Sequence, residues 1–290
     1  LFYRKREIPH KIDTHLKRIG KKGAAIDGSS VRRAADVYGQ IHLVSFFPED
    51  MGIIKNSPRD RRRFLDSQLC QLEGIYVSQL ADYNKAIMQR NALLKDTRYG
   101  ENIDPMLDIW DQQLVRLGSS LISRRKQFLE EMDILVKEIH RELTEGKEEI
   151  ELKYEPNVAE EDFAEELKKN RERDLRMKLS STGPHRDDFQ VIVNGKDLRH
   201  YGSQGQQRSA ALSLKLSEID LVKDRTSDMP VLLLDDVLSE LDSRRQKKLL
   251  ESIEKTQTFL TCTGMDELVG HQFQVDKVFH IEEGRIKEES

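Results

Sequence analysis

The hexapeptide Val231-Leu232-Leu233-Leu234-Asp235-Asp236 constrains what this chain can fold into more than any other stretch. Four consecutive large aliphatics leave no polar face, so the run fits a strand buried on both sides of a parallel sheet, which requires covering helices. The two carboxylates that close it then arrive at the C-terminal edge of the sheet, where α/β proteins bind ligands. Hard oxygen ligands at that edge suit Mg²⁺, which usually sits on one or two carboxylates and completes its shell with water and substrate phosphates. Phosphate is therefore the ligand these residues point to.

A polar turn upstream supports that direction. Gly202-Ser203-Gln204-Gly205-Gln206-Gln207-Arg208 runs directly into a helical pattern formed by Ala210, Ala211, Leu214, Ile219 and Val222. Ser203 and Gly205 thus fall at a helix N-terminus, where free N–H groups and the helix dipole make an anion site and a glycine lets phosphate approach the backbone. After Asp236 come Ser239-Glu240-Leu241-Asp242 and a charged helix from Ser243 to about Ile253. Taken singly, a Ser-x-Gly before a helix is commonly an ordinary cap and an Asp pair a solvated turn. Taken in order, the pieces resemble the signature loop, Walker B strand and D-loop of ABC-type ATPases.

The rest of the chain divides into strands, long helices and strands again. Residues 1 to 47 fit two hairpins (Ile12 to Ile19, Gly20-Lys21-Lys22-Gly23, Ala24 to Ile26, Asp27-Gly28), a short helix around Val31 to Tyr38 and a sheet-edge strand at Ile41 to Phe47. From Pro58, the residues Leu65, Leu69, Leu72, Tyr76, Leu80, Tyr83 and Ile87 make one helical stripe. A break from Tyr99-Gly100 to Pro105 precedes a second stripe: Trp110, Leu114, Leu117, Leu121, Phe128, Met132, Leu135, Ile139 and Leu143. Two such helices, each about 50 Å long at 1.5 Å per residue, predict an antiparallel αα-hairpin protruding as an arm. Its apolar stripe serves packing. Further on, the pattern predicts a strand at Ile150 to Tyr154, a helix over Ala159 to Lys178, a strand at Phe189 to Val193 with the turn Asn194-Gly195, and strands at Thr258 to Cys262 and Lys277 to Ile281 before a polar tail.

Charged residues make up 34% of the 290 positions and hydrophobic ones 37%, a balance that suits long solvent-washed helices. The net charge of −4 gives no global signal for nucleic acid, so any such contact must come from local patches. Cys70 and Cys262 form no Cys-x-x-Cys, and the eight histidines form no His-Glu-x-x-His, so neither zinc nor a disulfide framework is suggested. No apolar run approaches the roughly 18 residues of a membrane span and no signal peptide is visible, so a cytoplasmic location without membrane contact is expected.

An ATPase of this type also needs a P-loop, Gly-x-x-x-x-Gly-Lys-Ser/Thr. Three Gly-Lys pairs occur and all fail: Gly20-Lys21 has His15, Gly146-Lys147 has Arg141 and Gly195-Lys196 has Gln190 where the first glycine belongs, and none is followed by Ser or Thr. Since the chain starts at Leu1 rather than Met, a strand–P-loop–helix module upstream of Leu1 is expected, and this polypeptide alone should bind ATP poorly.

Phe47-Pro48-Glu49-Asp50, Ser57-Pro58 with Arg61-Arg62 and Phe64-Leu65-Asp66, Gly183-Pro184-His185-Arg186-Asp187-Asp188, Tyr201 to Arg208 and Leu233 to Asp242 together resemble, in order, the blocks of the RecF family of bacterial recombination mediators. The resemblance spans most of the chain and is least specific in the helical arm, which is too short for the coiled coil of an SMC protein. It implies an α/β fold, an ABC-type ATPase head with a mixed or parallel sheet plus the inserted arm, divided as head (1–58), helical arm (59–178) and head (179–290). It further implies a slow, DNA-dependent ATPase that acts as a switch, binds ATP and Mg²⁺, dimerises on ATP and helps load RecA at gapped double-stranded DNA with RecO and RecR.

By motif match Asp235 would hold Mg²⁺ and Asp236 would activate the attacking water. Ser203, Gln204, Gly205 and Gln206 would contact the γ-phosphate bound by the partner subunit, and Ser239 and Asp242 would lie at the dimer interface. Two departures bear on the rate. Asp236 stands where most ABC ATPases carry glutamate, and Thr261-Cys262-Thr263-Gly264 offers no switch histidine. For DNA, Lys21, Lys22, Arg61 and Arg62 are the candidate phosphate contacts, with Lys17-Arg18, Arg32-Arg33 and Arg124-Arg125-Lys126 as further clusters. Two other function classes stay open on the residues alone. One is a metal-dependent nuclease using Asp187, Asp188, Asp235 and Asp236 around His185, and the other a non-hydrolysing SMC-like DNA scaffold.

Overall fold

The computed structural model describes residues 1–290 except 6, 17, 19–22, 97–102, 263–274 and 290. The N-terminal strands β1 (Phe2–Lys5), β2 (Ile8–His15), β3 (Gly23–Ile26) and β4 (Ser29–Val31) form a four-stranded antiparallel meander. Val31 ends β4, so the expected helix over Val31 to Tyr38 contracts to a 3₁₀ turn at Ala34–Val37.

The buried parallel strand is present. β5 (Leu43–Phe46), β9 (Val231–Asp235) and β10 (Thr258–Thr261) make a parallel sheet in the order β10-β9-β5, with Leu234 opposite both Phe46 and Leu260. A second sheet, antiparallel, joins β6 (Ile150–Glu155), β7 (Asp188–Val193) and β8 (Lys196–Asp197). Asn194 and Gly195 both take positive φ (50° and 75°), the two-residue turn that an Asn-Gly pair favours. The tail is not free: β11 (Val278–Glu282) pairs antiparallel with β12 (Arg285–Glu289), Ile281 lying opposite Ile286.

The helical stripes differ from expectation in one respect. The first is two helices, α2 (Pro58–Leu72) and α3 (Gly74–Lys95), after the short α1 (Gly52–Lys55). The break is at Glu73, extended at φ −138° and ψ 100°, with a poor helix former next to it at Gly74. Glu73 is held there by Arg124, whose Nε donates to both carboxylate oxygens at 2.7 and 2.8 Å.

α4 (Asp104–Thr144) is continuous over 41 residues. Gln79 with Ser120 and Arg90 with Asp111 set α3 and α4 antiparallel, as a hairpin requires. The far end of α4 packs beside the parallel sheet: Ile139 and Leu143 share a core with Leu212, Leu216 and Leu232. The helix expected over Ala159 to Lys178 is also split, into α5 (Phe163–Lys169) and α6 (Arg171–Met177), where the Asn170 side chain donates to the Glu166 carbonyl at 2.8 Å.

The remaining helical segments are the 3₁₀ turns at Pro48–Met51, Pro184–Arg186 and Leu238–Glu240, the single turn α7 (Leu198–Tyr201), α8 (Gln204–Thr226) and α9 (Ser243–Ile253). Every residue of α8 from Ser209 to Ile219 is buried. Ala210, Ala211 and Leu214 join the core shared with α2, α3, α4, β6 and β7, while Leu212, Leu216 and Ile219 join the core under the parallel sheet. Its buried serines bond back into the helix, Ser209 Oγ to the Gly205 carbonyl and Ser213 Oγ to the Ser209 carbonyl. Among the described residues no helix is long and apolar enough to cross a membrane.

Candidate functional site

At the strand end the chemistry follows directly from burial. Leu232 and Leu234 are 0% and 1% exposed, while Asp235 and Asp236 emerge into solvent at the C-terminal edge. Asp236 leaves the strand with φ 49°, turning the chain towards the Ser239–Asp242 loop. From neighbouring β10, Thr261 Oγ1 donates to Asp235 Oδ1 at 2.5 Å and accepts from the Asp236 N–H at 3.1 Å. One hydroxyl therefore orients the first carboxylate and anchors the backbone of the second. That role has no sequence motif; the trace it leaves is a hydroxyl at the C-terminal end of a short strand.

The donor set suits Mg²⁺. Asp235 is a hard oxygen ligand on a rigid strand, solvent is at hand for the remaining shell, and Mg²⁺ needs only one or two carboxylates. Among the described residues no group of three or more His, Cys, Asp or Glu could form a metal cage, so the ligand count fits a phosphate-bound ion better than a structural one.

The polar turn is a capping box. Ser203 is the N-cap of α8: its Oγ accepts from the Gln206 N–H at 3.2 Å, and Gln206 Oε1 accepts from the Ser203 N–H at 3.0 Å. The Gln206 side chain is thus turned onto the cap. The N–H groups of Gln204 and Gly205 stand at the open start of the helix, without an intrahelical acceptor. A Cβ at Gly205 would meet only Ser203 Oγ, at 4.0 Å, whereas one at Gly202 would collide with the Leu198 carbonyl at 2.6 Å. Gly202 is needed for packing, and among the described residues nothing crowds the Cβ position of Gly205.

The loop between these features is tied to both. Ser239 Oγ donates to the Asp236 carbonyl at 2.8 Å, and Asp242 caps α9 by accepting from the Arg245 N–H at 3.0 Å. Partial burial pushes the Asp242 carboxyl up, but the Arg245 N–H and guanidinium outweigh it and hold the group below the usual carboxylate range. Arg245 reaches on from α9 to Ser209 and the Gly205 carbonyl at the start of α8. Strand end, loop and turn are therefore linked side by side.

The basic residues are largely engaged within the chain. Arg61 is 3% exposed and its guanidinium grips Asp188 at 2.6 and 2.9 Å and the Asn56 carbonyl at 2.9 Å, leaving it turned inward. Arg62 donates to the Asp187 carbonyl at 2.6 Å. Arg124 is bound to Glu73, and Arg125 is buried, donating to Asp66 and Asp187. Burial alone would lower Arg125, but Tyr76, Asp66 and Asp187 together raise it well above the ordinary arginine value. Lys21 and Lys22, together with Thr263-Gly264, lie outside the described residues.

The acidic group imagined for a nuclease is likewise committed elsewhere. Asp187 is 0% exposed and accepts from Arg125, Tyr154 and the Asn157 N–H, and Asp188 takes Arg61. His185 is bound between Tyr83 and the Ser180 carbonyl. The Gly183–Asp188 block serves to join α2, α3, α4 and β6, and offers no converging carboxylates.

Comparison with known proteins gives a consistent neighbourhood. No family model matches the chain. It is 49% identical over 281 residues to the DNA replication and repair protein RecF of Lachnoclostridium phytofermentans, covering 97% of this chain and 78% of that protein. It is 50% identical over 283 residues to the protein of the same name from Agathobacter rectalis, covering 98% and 78%. In three dimensions it superposes on a solved structure of the recombination mediator protein RecF with ATP in the RecFOR pathway. The TM-score is 0.87 at 34% identity, and 98% of this chain and 78% of that one are covered.

Proposed function

This chain belongs to the RecF family, and from that premise we propose that it carries the signature and Walker B parts of an ATP-dependent DNA-binding protein of recombinational repair. In the intact protein two subunits close around two nucleotides. Asp235 of each would hold Mg²⁺, which when bound neutralises phosphate charge; Asp236 would orient and deprotonate the attacking water. The Ser203–Gln206 turn would meet the γ-phosphate on the partner subunit through its Gln204 and Gly205 N–H groups and the Ser203 hydroxyl. Ser239 and Asp242 would line the interface. Hydrolysis is slow and serves as a timer, in keeping with an aspartate at position 236 and with its carboxylate's shorter reach.

The observation that carries this reading is Gly205, a glycine with open space at its Cβ position on the open end of a helix, beside an exposed Asp-Asp strand end. Residues 1–58 and 179–290 would act as the head and 59–178 as the arm, the arm moving with the head because α4 belongs to both cores. On DNA, the dimer would bind duplex near a gap through backbone phosphates and act with RecO and RecR ahead of RecA loading. A solved RecF structure described within the RecFOR pathway supports that assignment.

The chain spans 78% of the length of its Lachnoclostridium phytofermentans relative and holds no Gly-x-x-x-x-Gly-Lys-Ser/Thr, so the test uses the full-length native protein. Sedimentation velocity with ATP should show a dimer that Ser203→Arg abolishes, since a long cation at the cap blocks the partner's phosphate. A Ser203→Arg protein that dimerises like the parent would defeat the role given to this turn.

A further inference from the structure

Arg245 lies in the first turn of α9 with its side chain only 22% exposed, and its guanidinium serves two elements at once. On its own loop it pairs with Asp242. Towards α8, Nη2 donates to Ser209 Oγ at 2.6 Å and to the Gly205 carbonyl at 3.3 Å, and Nε donates to Ser209 Oγ at 3.1 Å. The Ser209 hydroxyl spends its own proton on the same Gly205 carbonyl, at 3.0 Å, so its oxygen can only accept from the arginine. A planar fork matches a carboxylate on one side and two oxygens on the other, which a lysine's single ammonium cannot do.

The geometry points to Arg245 as a positioning residue that ties the Ser203–Gln206 turn to the Ser239–Asp242 loop of the same subunit. The inference rests on the function proposed above, in which the turn serves the partner's nucleotide and the strand end serves this subunit's own. Ser239 already binds the Asp236 carbonyl, so the path from the water-activating residue to the turn runs from Asp236 to Ser239, along the short loop to Asp242, and on through Arg245 to Gly205. A shift of the loop at one nucleotide then moves the turn that holds the other. The two nucleotides of a dimer would be coupled through one guanidinium in each subunit, and the coupling must act in both directions.

The experiment uses the full-length native protein and reads ATP-dependent dimerisation by sedimentation beside nucleotide binding to the dilute monomer. Arg245→Ala should raise the dimer dissociation constant by about tenfold or more, the scale of one lost charge-assisted hydrogen bond. Monomer affinity for ATP should stay within about twofold, because the arginine does not face its own subunit's nucleotide. Ser209→Ala, which leaves the Asp242 pair intact, should weaken the dimer in the same direction, and the double variant should be no worse than Arg245→Ala alone. Arg245→Lys should recover the loss only in part.

Two outcomes overturn the inference: unchanged dimerisation in Ser209→Ala, or losses from the two single variants that multiply in the double. If Arg245→Ala does not fold, Ser209→Ala decides the matter by itself. Ser203→Arg run alongside separates the premises. If it fails to block dimerisation, the reading of the turn falls; if it blocks dimerisation while Ser209→Ala leaves it unchanged, only the role of Arg245 falls.

Discussion

Single side chains in this protein are assigned by what faces them. His185 shows how far that goes. Its Nε2 lies 3.1 Å from the Ser180 carbonyl, which can only accept, so Nε2 carries the proton; Nδ1, 2.8 Å from the Tyr83 hydroxyl, is the acceptor. The ring is held neutral, and burial pushes it down to about 4 from an ordinary 6.5, the nearby Arg186 and Arg62 adding to the effect. A depressed value means that its contribution to stability is present above pH 6.5 and is lost as pH falls through 4, a difference on the order of 3 kcal/mol. Glu218 works in the opposite sense. Burial lifts it to about 7 despite the opposing pull of Lys215 and the Gln68 hydrogen bond, so its contribution is full below about 4.5 and fades as pH rises through 7. The two offset each other in the parent protein. Urea unfolding at pH 7 and pH 4.5 should therefore show that His185→Gln loses less stability in acid than the parent; parallel behaviour of the two proteins would contradict this assignment.

At the level of elements, α4 depends on one small residue where three elements converge. A Cβ at Gly118 would overlap the Phe163 ring edge and crowd the Tyr83 ring. Helix propensity alone favours alanine there by about 1 kcal/mol, but overpacking a tight core costs about 1–3 kcal/mol. Gly118→Ala should lower the melting temperature, and a rise would show that the α3–α4–α5 junction is looser than described. The elements also show what could be read from residues alone. The Val231–Asp235 strand, the Ser203 cap and the α3–α4 hairpin were legible because each has a local cause: an unbroken aliphatic run, a capping box, a repeating stripe. The break at Glu73 was not, because the apolar spacing runs on through it, and the break at Asn170 was not, because the acids-first, bases-last charge order runs on from Ala159 to Lys178. Arg61 misled for a related reason. Its partner Asp188 is 127 positions away, so a buried ion pair looked like part of a solvated basic run. Thr261 was legible only as the lack of a histidine, since its bond to Asp235 crosses between strands.

Across the whole molecule, two cores meet on two helices, α4 and α8. α8 gives Ala210 and Leu214 to one and Leu212 and Leu216 to the other, with no exposed residue from Ser209 to Ile219. Opening α8 therefore means opening both cores. Hydrogen exchange should find the amides of Leu212 to Ile219 among the slowest in the protein, near the rate of global unfolding, while the β11–β12 hairpin exchanges much faster. Fast exchange within α8 would mean that the two cores open separately. The same grip has a mechanical side. A rod clasped along its flanks cannot turn or slide on its own, so a push at the Ser203 end is passed on to α4 without being absorbed. Because α4 packs along α8 and continues unbroken from Thr144 back to Asp104, a displacement of α8 would be shared by α4 rather than taken up between the two helices.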